Sequence, residues 1–132
     1  MAEKRFVNPP GLKPLGMYSN AACGKGTVVF IAGQVAVDAN GKVVGVGDYE
    51  AQAVQVFENV KLALGAAGAT FEDVLKLTIY IRNLTQEARK AVMGVRGRYI
   101  SHTHPPAATM IGIDRLVEDD LLVEVEAFAV VD

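Results

Sequence analysis

One strand-like segment in the middle of the chain lies between two segments with helical periodicity, and this order restricts the fold more than any other feature. From Val74 to Arg82 aliphatic residues alternate with polar or aromatic ones, which predicts a strand with one aliphatic face made of Leu75, Leu77, Ile79 and Ile81. Such a face has to be buried, and the flanking segments supply helices that can cover it. We therefore expect the aliphatic face of this strand to contact helices.

Both flanking helices carry recognisable boundary signals. Apolar residues recur at helical spacing between Asp48, a candidate N-cap, and Gly68, a natural stop. Thr85 can cap a second helix, which we expect to run to about Ser101 because its apolar residues again recur three or four apart. The two prolines that follow exclude its continuation.

Strands are predicted on either side of this central region. Residues 27–32 are rich in β-branched and aromatic side chains, and residues 18–22 are expected to pair with them. Residues 35–44 contain an Asn-Gly pair suited to a tight turn and indicate a hairpin. Two more strands are expected at residues 107–113 and 122–131.

The resulting order, β-β-β-α-β-α-β-β, predicts an α+β fold with one mixed, mostly antiparallel sheet and both helices on one face. Hydrophobic patterning is nearly continuous and no repeat occurs, so we expect a single domain spanning residues 1–132. The opposite sheet face would carry Tyr80, Phe128 and Val130. Because water would not tolerate this apolar patch, we expect another subunit to cover it.

Composition and charge exclude several classes of function. The net charge is -2 with the basic residues scattered, so no nucleic-acid partner is expected. No apolar run approaches membrane-spanning length, and the charged N-terminus does not resemble a secretory signal. The one cysteine, Cys23, cannot form an internal disulfide, which is typical of a reducing compartment. We expect a cytoplasmic protein without a membrane partner.

The candidate chemical groups are few. His102 and His104 have no third ligand at a suitable spacing, so a polar loop is favoured over a metal site. Glu124 and Glu126 lie two apart on the last strand and therefore share a face. They form either a solvated strand face or part of a site, because a partly buried carboxylate has a raised pKa and can act as a general base. The sequence leaves both readings open.

Short segments spread in order over nearly the whole chain resemble one family. They are residues 16–21 (GMYSNA), 30–34 (FIAGQ), 66–68 (AAG), 74–81 (VLKLTIYI), 106–107 (PA) and 123–127 (VEVEA). These are similar to the GPYS-A, SGQ, helix-stop, DVVK-TVY, PAR and VEIEA segments of the Rid family, the reactive-intermediate deaminases also called YjgF-like. The resemblance implies a chorismate-mutase-like fold that assembles as a homotrimer, with small carboxylates held in clefts between subunits.

The resemblance also implies an activity and a set of site residues. Deaminases of this family hydrolyse enamines and 2-imino acids to 2-oxo acids and ammonia without metal or organic cofactor. By similarity, Glu124 would help to activate water, and the substrate-binding positions would be Tyr18, Ala32, Gly33, Ala108 and Met110. The sequence departs from the family at Ala108, which stands where an arginine clamps the substrate carboxylate, and at Ala32, which replaces a serine.

Two functions of different class remain open after this comparison. The first is a Rid-like hydrolase for an imine, an enamine or a related C–N compound, distinct from the standard 2-iminobutanoate/2-iminopropanoate deaminase. It needs a carboxylate anchor other than Ala108, for which Arg98, Arg115 or a histidine are candidates, or a substrate without an α-carboxylate. The second is a non-catalytic trimer that binds a metabolite or acts as a holdase, which the loss of arginine at position 108 favours.

Overall fold

The computed structural model, which describes residues 3–132, has the order of helices and strands predicted from the sequence, but its first strand, Lys4–Val7, lies outside every predicted strand. Within that range the elements are β1 (Lys4–Val7), β2 (Ala21–Gly24), β3 (Thr27–Val35), α1 (Tyr49–Ala66), β4 (Val74–Arg82), α2 (Gln86–Arg96), β5 (Ala107–Ile113) and β6 (Val123–Val131). A short 3-10 helix, Phe71–Asp73, connects α1 to β4. No helix in this part of the chain is both long enough and apolar enough to cross a bilayer.

The main sheet has four strands in the order β3-β6-β4-β5. Strand β6 pairs antiparallel with both β3 and β4, and β5 pairs parallel with β4. A parallel neighbour requires a crossover connection, and α2 provides it between β4 and β5. The predicted mixed, mostly antiparallel sheet is therefore confirmed, with β1 and β2 forming a separate antiparallel ribbon.

Local signals at the helix ends act as the sequence predicts. The Ala51 N–H donates to Asp48 Oδ1 at 3.0 Å, and the Ala88 N–H donates to Thr85 Oγ1 at 3.1 Å. Gly68 follows α1 in the left-handed region, with φ at 77°. Both helices pack on one sheet face, where the fully buried side chains include Phe57, Val60, Leu64, Leu77, Ile79, Ile81, Val92, Val95, Val123 and Val125.

A buried glutamine ties α1 to the start of β6. Gln52 is 0% exposed, and its Nε2 donates to the Asp120 carbonyl at 2.7 Å and to the Gly45 carbonyl at 3.2 Å. Its Oε1 accepts from the Leu122 N–H at 2.8 Å. Both ends of this amide are thus satisfied, which fixes the position of the strand that carries Glu124.

The pairing predicted for residues 18–22 is wrong. Strand β2 pairs with β1, in the register Lys4 to Gly24 through Val7 to Ala21, while β3 is paired along its length with β6. Gly26 lies between β2 and β3 at φ 144°, a conformation that other residues rarely adopt. The chain therefore changes direction there instead of closing a hairpin.

Two other boundaries differ from prediction. Helix α2 ends at Arg96, not near Ser101, because after the Gly97 cap the N–H groups of Arg98 and Tyr99 donate to carbonyls only three residues back. The hairpin predicted for residues 35–44 is reduced to a tight turn with Gly41 at φ 76° and one bridge between Val37 and Val43.

The aliphatic face of β4 contacts the helices as predicted, but one residue of the predicted face differs. A register shift between Val74 and Lys76 places Val74 in the core and leaves Leu75 half-buried outside it. Val130, expected on the open face, is only 5% exposed because the chain at Gly26 lies against it. We refer to the sheet face away from the helices as the outer face.

Candidate functional site

The structure separates the predicted site residues into two groups. Glu124, Ala32 and Gly33 lie together where β6 pairs with β3. Tyr18, Ala108 and Met110 line a small cavity between β5 and the end of α2. Ala108 and Met110 pair with the core-facing Leu77 and Ile79 of β4, whereas Glu124 pairs with Tyr80 on the outer face. The two groups therefore belong to opposite faces of the sheet.

Glu124 lies against a bulged part of β3. The register between β3 and β6 shifts between Ile31 and Gln34, so Ala32 and Gly33 leave the regular ladder. A Cβ built on Gly33 would lie 2.8 Å from Glu124 Cδ, which means that only glycine leaves room for the carboxylate in its present position. Burial raises the pKa of the Glu124 carboxyl, and the nearby charge of Glu126 raises it further.

The second carboxylate of β6 has a dedicated hydrogen-bond donor. The Tyr80 hydroxyl donates to Glu126 Oε1 at 2.9 Å. This bond, followed by partial burial and by the charges of Glu126 and Glu124, raises the pKa of Tyr80. Tyr80 is consequently neutral near pH 7 and stays a donor. The two glutamates are thus inequivalent, because Glu126 is hydrogen-bonded and Glu124 is desolvated.

The cavity on the helix side has a volume of about 110 Å³. Its lining consists of apolar or small side chains and two arginines: Leu15, Gly16, Tyr18, Arg89, Met93, Arg96, Ala108 and Met110. This volume is below the roughly 300 Å³ at which sites for drug-sized ligands begin. Within one chain it suits a ligand of only a few heavy atoms.

The loop that carries Tyr18 is fixed to the start of β5. Ser19 is 2% exposed, its hydroxyl donates to the Pro105 carbonyl at 2.6 Å, and its N–H donates to the Pro106 carbonyl at 3.1 Å. Ser19 also forms a parallel bridge with Ala107. Next to it, the Tyr18 hydroxyl accepts from the Leu15 N–H at 3.1 Å. These bonds hold the Tyr18 ring beside Ala108.

Arg96 is a candidate site residue that the sequence reasoning missed. Its side chain lines the cavity and is 3% exposed as a whole residue, and its Nη2 donates to the Met17 carbonyl at 3.0 Å. A signal existed, because position 96 lies on the same helical stripe as the apolar Ala88, Val92 and Val95. Arg89 lies seven residues earlier on α2 and also lines the cavity.

The arginines and histidines that the sequence offered as substitutes do not line this cavity. Arg98 pairs with Glu50 at 2.8 Å and Arg115 pairs with Asp119 at 2.9 Å, both on the surface. His102 contacts the Gly97 carbonyl at 2.6 Å in an exposed loop. Within residues 3–132, no three His, Cys, Asp or Glu side chains are grouped closely enough to hold a metal ion.

Comparison with known proteins places the chain in a family. Residues 10–131 match the family model described as Endoribonuclease L-PSP. A RutC family protein of Pyrococcus abyssi is 34% identical over 129 residues, covering 98% of each chain. The 2-iminobutanoate/2-iminopropanoate deaminase of Dermatophagoides farinae is 29% identical over 133 residues, covering 100% of each.

The same relationship is seen among solved structures. The crystal structure of YyfB from Yersinia pestis, a protein of unknown function of the conserved Rid family, superposes with a TM-score of 0.89. It is 36% identical to this chain, and the match covers 97% of this chain and 98% of the other. The sequence match and the shared fold agree with the order of strands, helices and motifs along the chain. This protein belongs to the Rid, or YjgF-like, family.

Proposed function

We propose that this protein is a small-molecule hydrolase that cleaves the C–N bond of an imine, an enamine or a related compound, and that its site lies in a cleft between the subunits of a homotrimer. The observation that carries the proposal is the partly buried carboxylate of Glu124, which has no hydrogen-bond donor within residues 3–132 and lies against Gly33. A carboxylate with a raised pKa is suited to proton transfer near neutral pH.

The separation of the two groups of site residues favours a site shared between chains. Strand β4 lies between β5 and β6, so Ala108 and Glu124 are about two strand spacings, roughly 10 Å, apart across the strands. Their partners on β4, Leu77 and Tyr80, are in addition three residues apart along that strand. They also face opposite sides of it. One small ligand does not reach both groups in one chain, whereas the Glu124 group of one subunit can complete the cavity of the next.

The outer face supplies the surface that such an assembly needs. Phe30 is 72% exposed, Val28 is 55% exposed, and Phe128 and Ile111 are each 41% exposed. The Phe30 and Phe128 rings contact each other edge to face, with centroids 5.2 Å apart. A large exposed apolar patch on one sheet face favours burial against another subunit. If the outer face of each chain covers a different surface of its neighbour, three contacts can close a ring.

The proposed chemistry uses one carboxylate as base and then as acid. The Glu124 carboxylate accepts a proton from water while the water oxygen forms a bond to the imine carbon, and the C=N electron pair moves to nitrogen. The protonated Glu124 returns its proton to that nitrogen, which gives a neutral carbinolamine. Glu124 then takes the proton of the carbinolamine hydroxyl and passes it to the nitrogen, so that the C=O bond forms as the C–N bond breaks and ammonia leaves. The net reaction converts one imine and one water into one carbonyl compound and one ammonia.

The non-catalytic alternative rests on Ala108. A bidentate guanidinium–carboxylate contact contributes about 1.5–3 kcal/mol and fixes the orientation of a substrate, and alanine offers neither. A cleft without oriented substrate would bind a metabolite without turning it over. The two functions predict different results for the same measurement.

The test is ammonia release from imines generated in the assay, both with and without an α-carboxylate. We expect release from at least one of these substrates by the wild-type trimer, and a loss in kcat of about 10²–10⁴-fold in Glu124→Gln. Glu126→Gln is the matched control, because it removes a carboxylate from the same face and strand. It should retain turnover, with the acid limb of its pH profile moved to lower pH, since the charge of Glu126 raises the pKa of Glu124.

A wild-type trimer that binds these compounds and releases no ammonia would support the non-catalytic alternative. Equal turnover by Glu124→Gln and wild type would exclude Glu124 as the base.

A further inference from the structure

Arg96 carries a buried charge without an acidic partner. It is 3% exposed, and none of the ion pairs within residues 3–132 involves it. In the same part of the chain its Nε has no hydrogen-bond partner, although that atom is buried. The carbonyl of Met17 and the C-terminal end of α2 stabilise a cation in part, but neither carries a full negative charge. A buried guanidinium usually has a paired anion.

The surroundings of this guanidinium add positive charge instead of neutralising it. No aspartate or glutamate of the described chain lines the cavity, and Arg89 is its other charged lining residue. Burial and, secondarily, the charge of Arg89 lower the pKa of Arg96. The rest of the lining is apolar or uncharged, with Met93, Ala108 and Met110 beside the two arginines. The cavity is therefore a small electropositive site with a largely apolar wall.

We propose that Arg96 is the residue that anchors a ligand carboxylate in this cavity, with Arg89 as a second cation at its exposed side. For the identity of the rest of the ligand, this inference rests on the proposed function: a short imine or enamine that bears a carboxylate. The planar guanidinium matches a carboxylate, and the apolar wall accommodates a short carbon chain. The anchor would thus stand on α2, not at position 108 of β5.

This placement explains how a Rid chain can lack an arginine at position 108 and still hold an anion. Ala108 and Arg96 line the same cavity, so a guanidinium from the helix occupies the neighbourhood that one from the strand would occupy. Because the charge comes from another direction, the distance from the carboxylate to the reacting carbon differs from that set by an arginine at position 108. The preferred substrate should therefore differ from a 2-imino acid in the spacing between its carboxylate and its C=N group.

Calorimetric titration with pyruvate, and with its uncharged isostere pyruvamide, tests the anchor without depending on turnover. We expect wild type to prefer pyruvate by about tenfold or more, with the preference falling as salt is added. Arg96→Gln should lose this preference, and Arg96→Lys should retain part of it, since lysine keeps the charge but not the planar fork. Arg98→Gln is the matched control: it removes an exposed arginine two residues away, outside the cavity, and should bind pyruvate as wild type does.

Folding and assembly are checked for each variant by circular dichroism and sedimentation equilibrium. Arg89→Gln provides a second variant in case Arg96→Gln does not fold, because Arg89 is exposed; its affinity for pyruvate and the salt dependence of that affinity should both decrease. Equal binding of pyruvate and pyruvamide by wild type would overturn the proposal. Unchanged pyruvate binding by folded Arg96→Gln would also overturn it. If wild type binds no pyruvate and Arg96→Gln loses the trimer, Arg96 belongs to a subunit contact and the proposal fails.

The outcome is separable from that of the proposed function. Pyruvate preference that depends on Arg96, in a protein that releases no ammonia from any imine, would leave the anchor in place and remove the hydrolase.

Discussion

The carboxylate of Glu124 lies directly over Gly33, in the space that a β-carbon at position 33 would take. This contact joins two motifs that are about ninety residues apart in the chain, and the register shift in β3 creates it. Gly33 has an ordinary backbone conformation, so the requirement for glycine here comes from the space needed by Glu124 and not from a positive φ.

Gly33→Ala is therefore expected to affect the site more than the fold. The atoms in conflict belong to the flexible end of the Glu124 side chain, which can rotate away without moving the backbone. The free energy of unfolding should change by no more than about 1 kcal/mol, whereas the proposed imine hydrolysis should fall by tenfold or more because the base is displaced. Urea denaturation and an ammonia-release assay on the same preparation measure both effects. A strongly destabilised variant would show that the backbone at the bulge cannot accommodate the change.

The raised pKa of Glu124 predicts a specific pH dependence of stability. Below its ordinary pKa of 4.5 the carboxyl is protonated in both folded and unfolded chains, so Glu124 does not lower the free energy of unfolding at those pH values. As pH rises through the interval up to the raised folded-state pKa, the unfolded chain loses its proton first, and the folded state is progressively disfavoured. The penalty is complete above the folded-state pKa.

Glu124→Gln removes this penalty. The variant should be more stable than wild type near neutral pH, and the difference should shrink as pH falls toward and below 4.5. Denaturation series at one fixed protomer concentration give the comparison, because the stability of an oligomer depends on concentration. A variant that is less stable than wild type at neutral pH would indicate that the Glu124 charge is compensated in the folded state.

The parts of the fold that were predictable are those with local causes. The side chains of Asp48 and Thr85 accept hydrogen bonds from N–H groups in the first turns of the two helices, and Gly68 follows the end of α1. The alternation in β4 indicates one buried face. The failures concern strand pairing, the bulge in β4, the end of α2 and the strand β1, which is not predicted from the sequence. Strand β1 is a four-residue segment that contains Lys4 and Arg5. It pairs with β2, while β3, the expected partner of β2, pairs with the distant strand β6.

The candidate site residues could be named from the sequence, but their arrangement could not. The spacing of Glu124 and Glu126 placed both on one face, and the family motifs located Tyr18, Gly33 and Ala108. Nothing in the sequence showed that these residues divide between opposite faces of the sheet, because that depends on the register in which β5 and β6 pair with β4. Arg96 was missed for a different reason, since a charged residue in an amphipathic helix normally indicates its solvent-exposed side.

The proposed trimer predicts that the outer face is sensitive to charge. Phe30→Asp places a carboxylate in the centre of the patch where the Phe30 and Phe128 rings meet, and burying it between subunits would be costly. Sedimentation equilibrium should therefore find wild type as a trimer at micromolar concentration and this variant as a smaller species. Leu62→Asp is the matched control, because Leu62 is 73% exposed, close to the 72% of Phe30, but lies on α1. A wild-type monomer would contradict both the trimer and the cleft.

Ala108→Arg restores at position 108 the arginine that the family uses as a carboxylate clamp. The half-buried Ala108 side chain lines the same cavity as Arg96, so the variant would present two guanidinium groups to one bound anion. We expect the affinity for pyruvate to rise by about tenfold or more, each 1.4 kcal/mol being a factor of ten, and the gain to fall with added salt. Hydrolysis of 2-iminopropanoate, which we expect to be slow in wild type, should rise as well.

The double variant Arg96→Gln/Ala108→Arg separates the two sources of charge. If each guanidinium can hold the carboxylate, the pyruvate binding that is lost in Arg96→Gln should return in the double variant. The double variant should also hydrolyse 2-iminopropanoate faster than wild type does, because its carboxylate clamp then lies on β5. Calorimetry and coupled assays of keto-acid formation measure the two properties separately. Absence of pyruvate binding in wild type and in both Ala108→Arg variants, with the trimer intact, would mean that Met110 and the end of α2 have reshaped the pocket. The assignment of Tyr18 and Glu124 to one site would then fail with it.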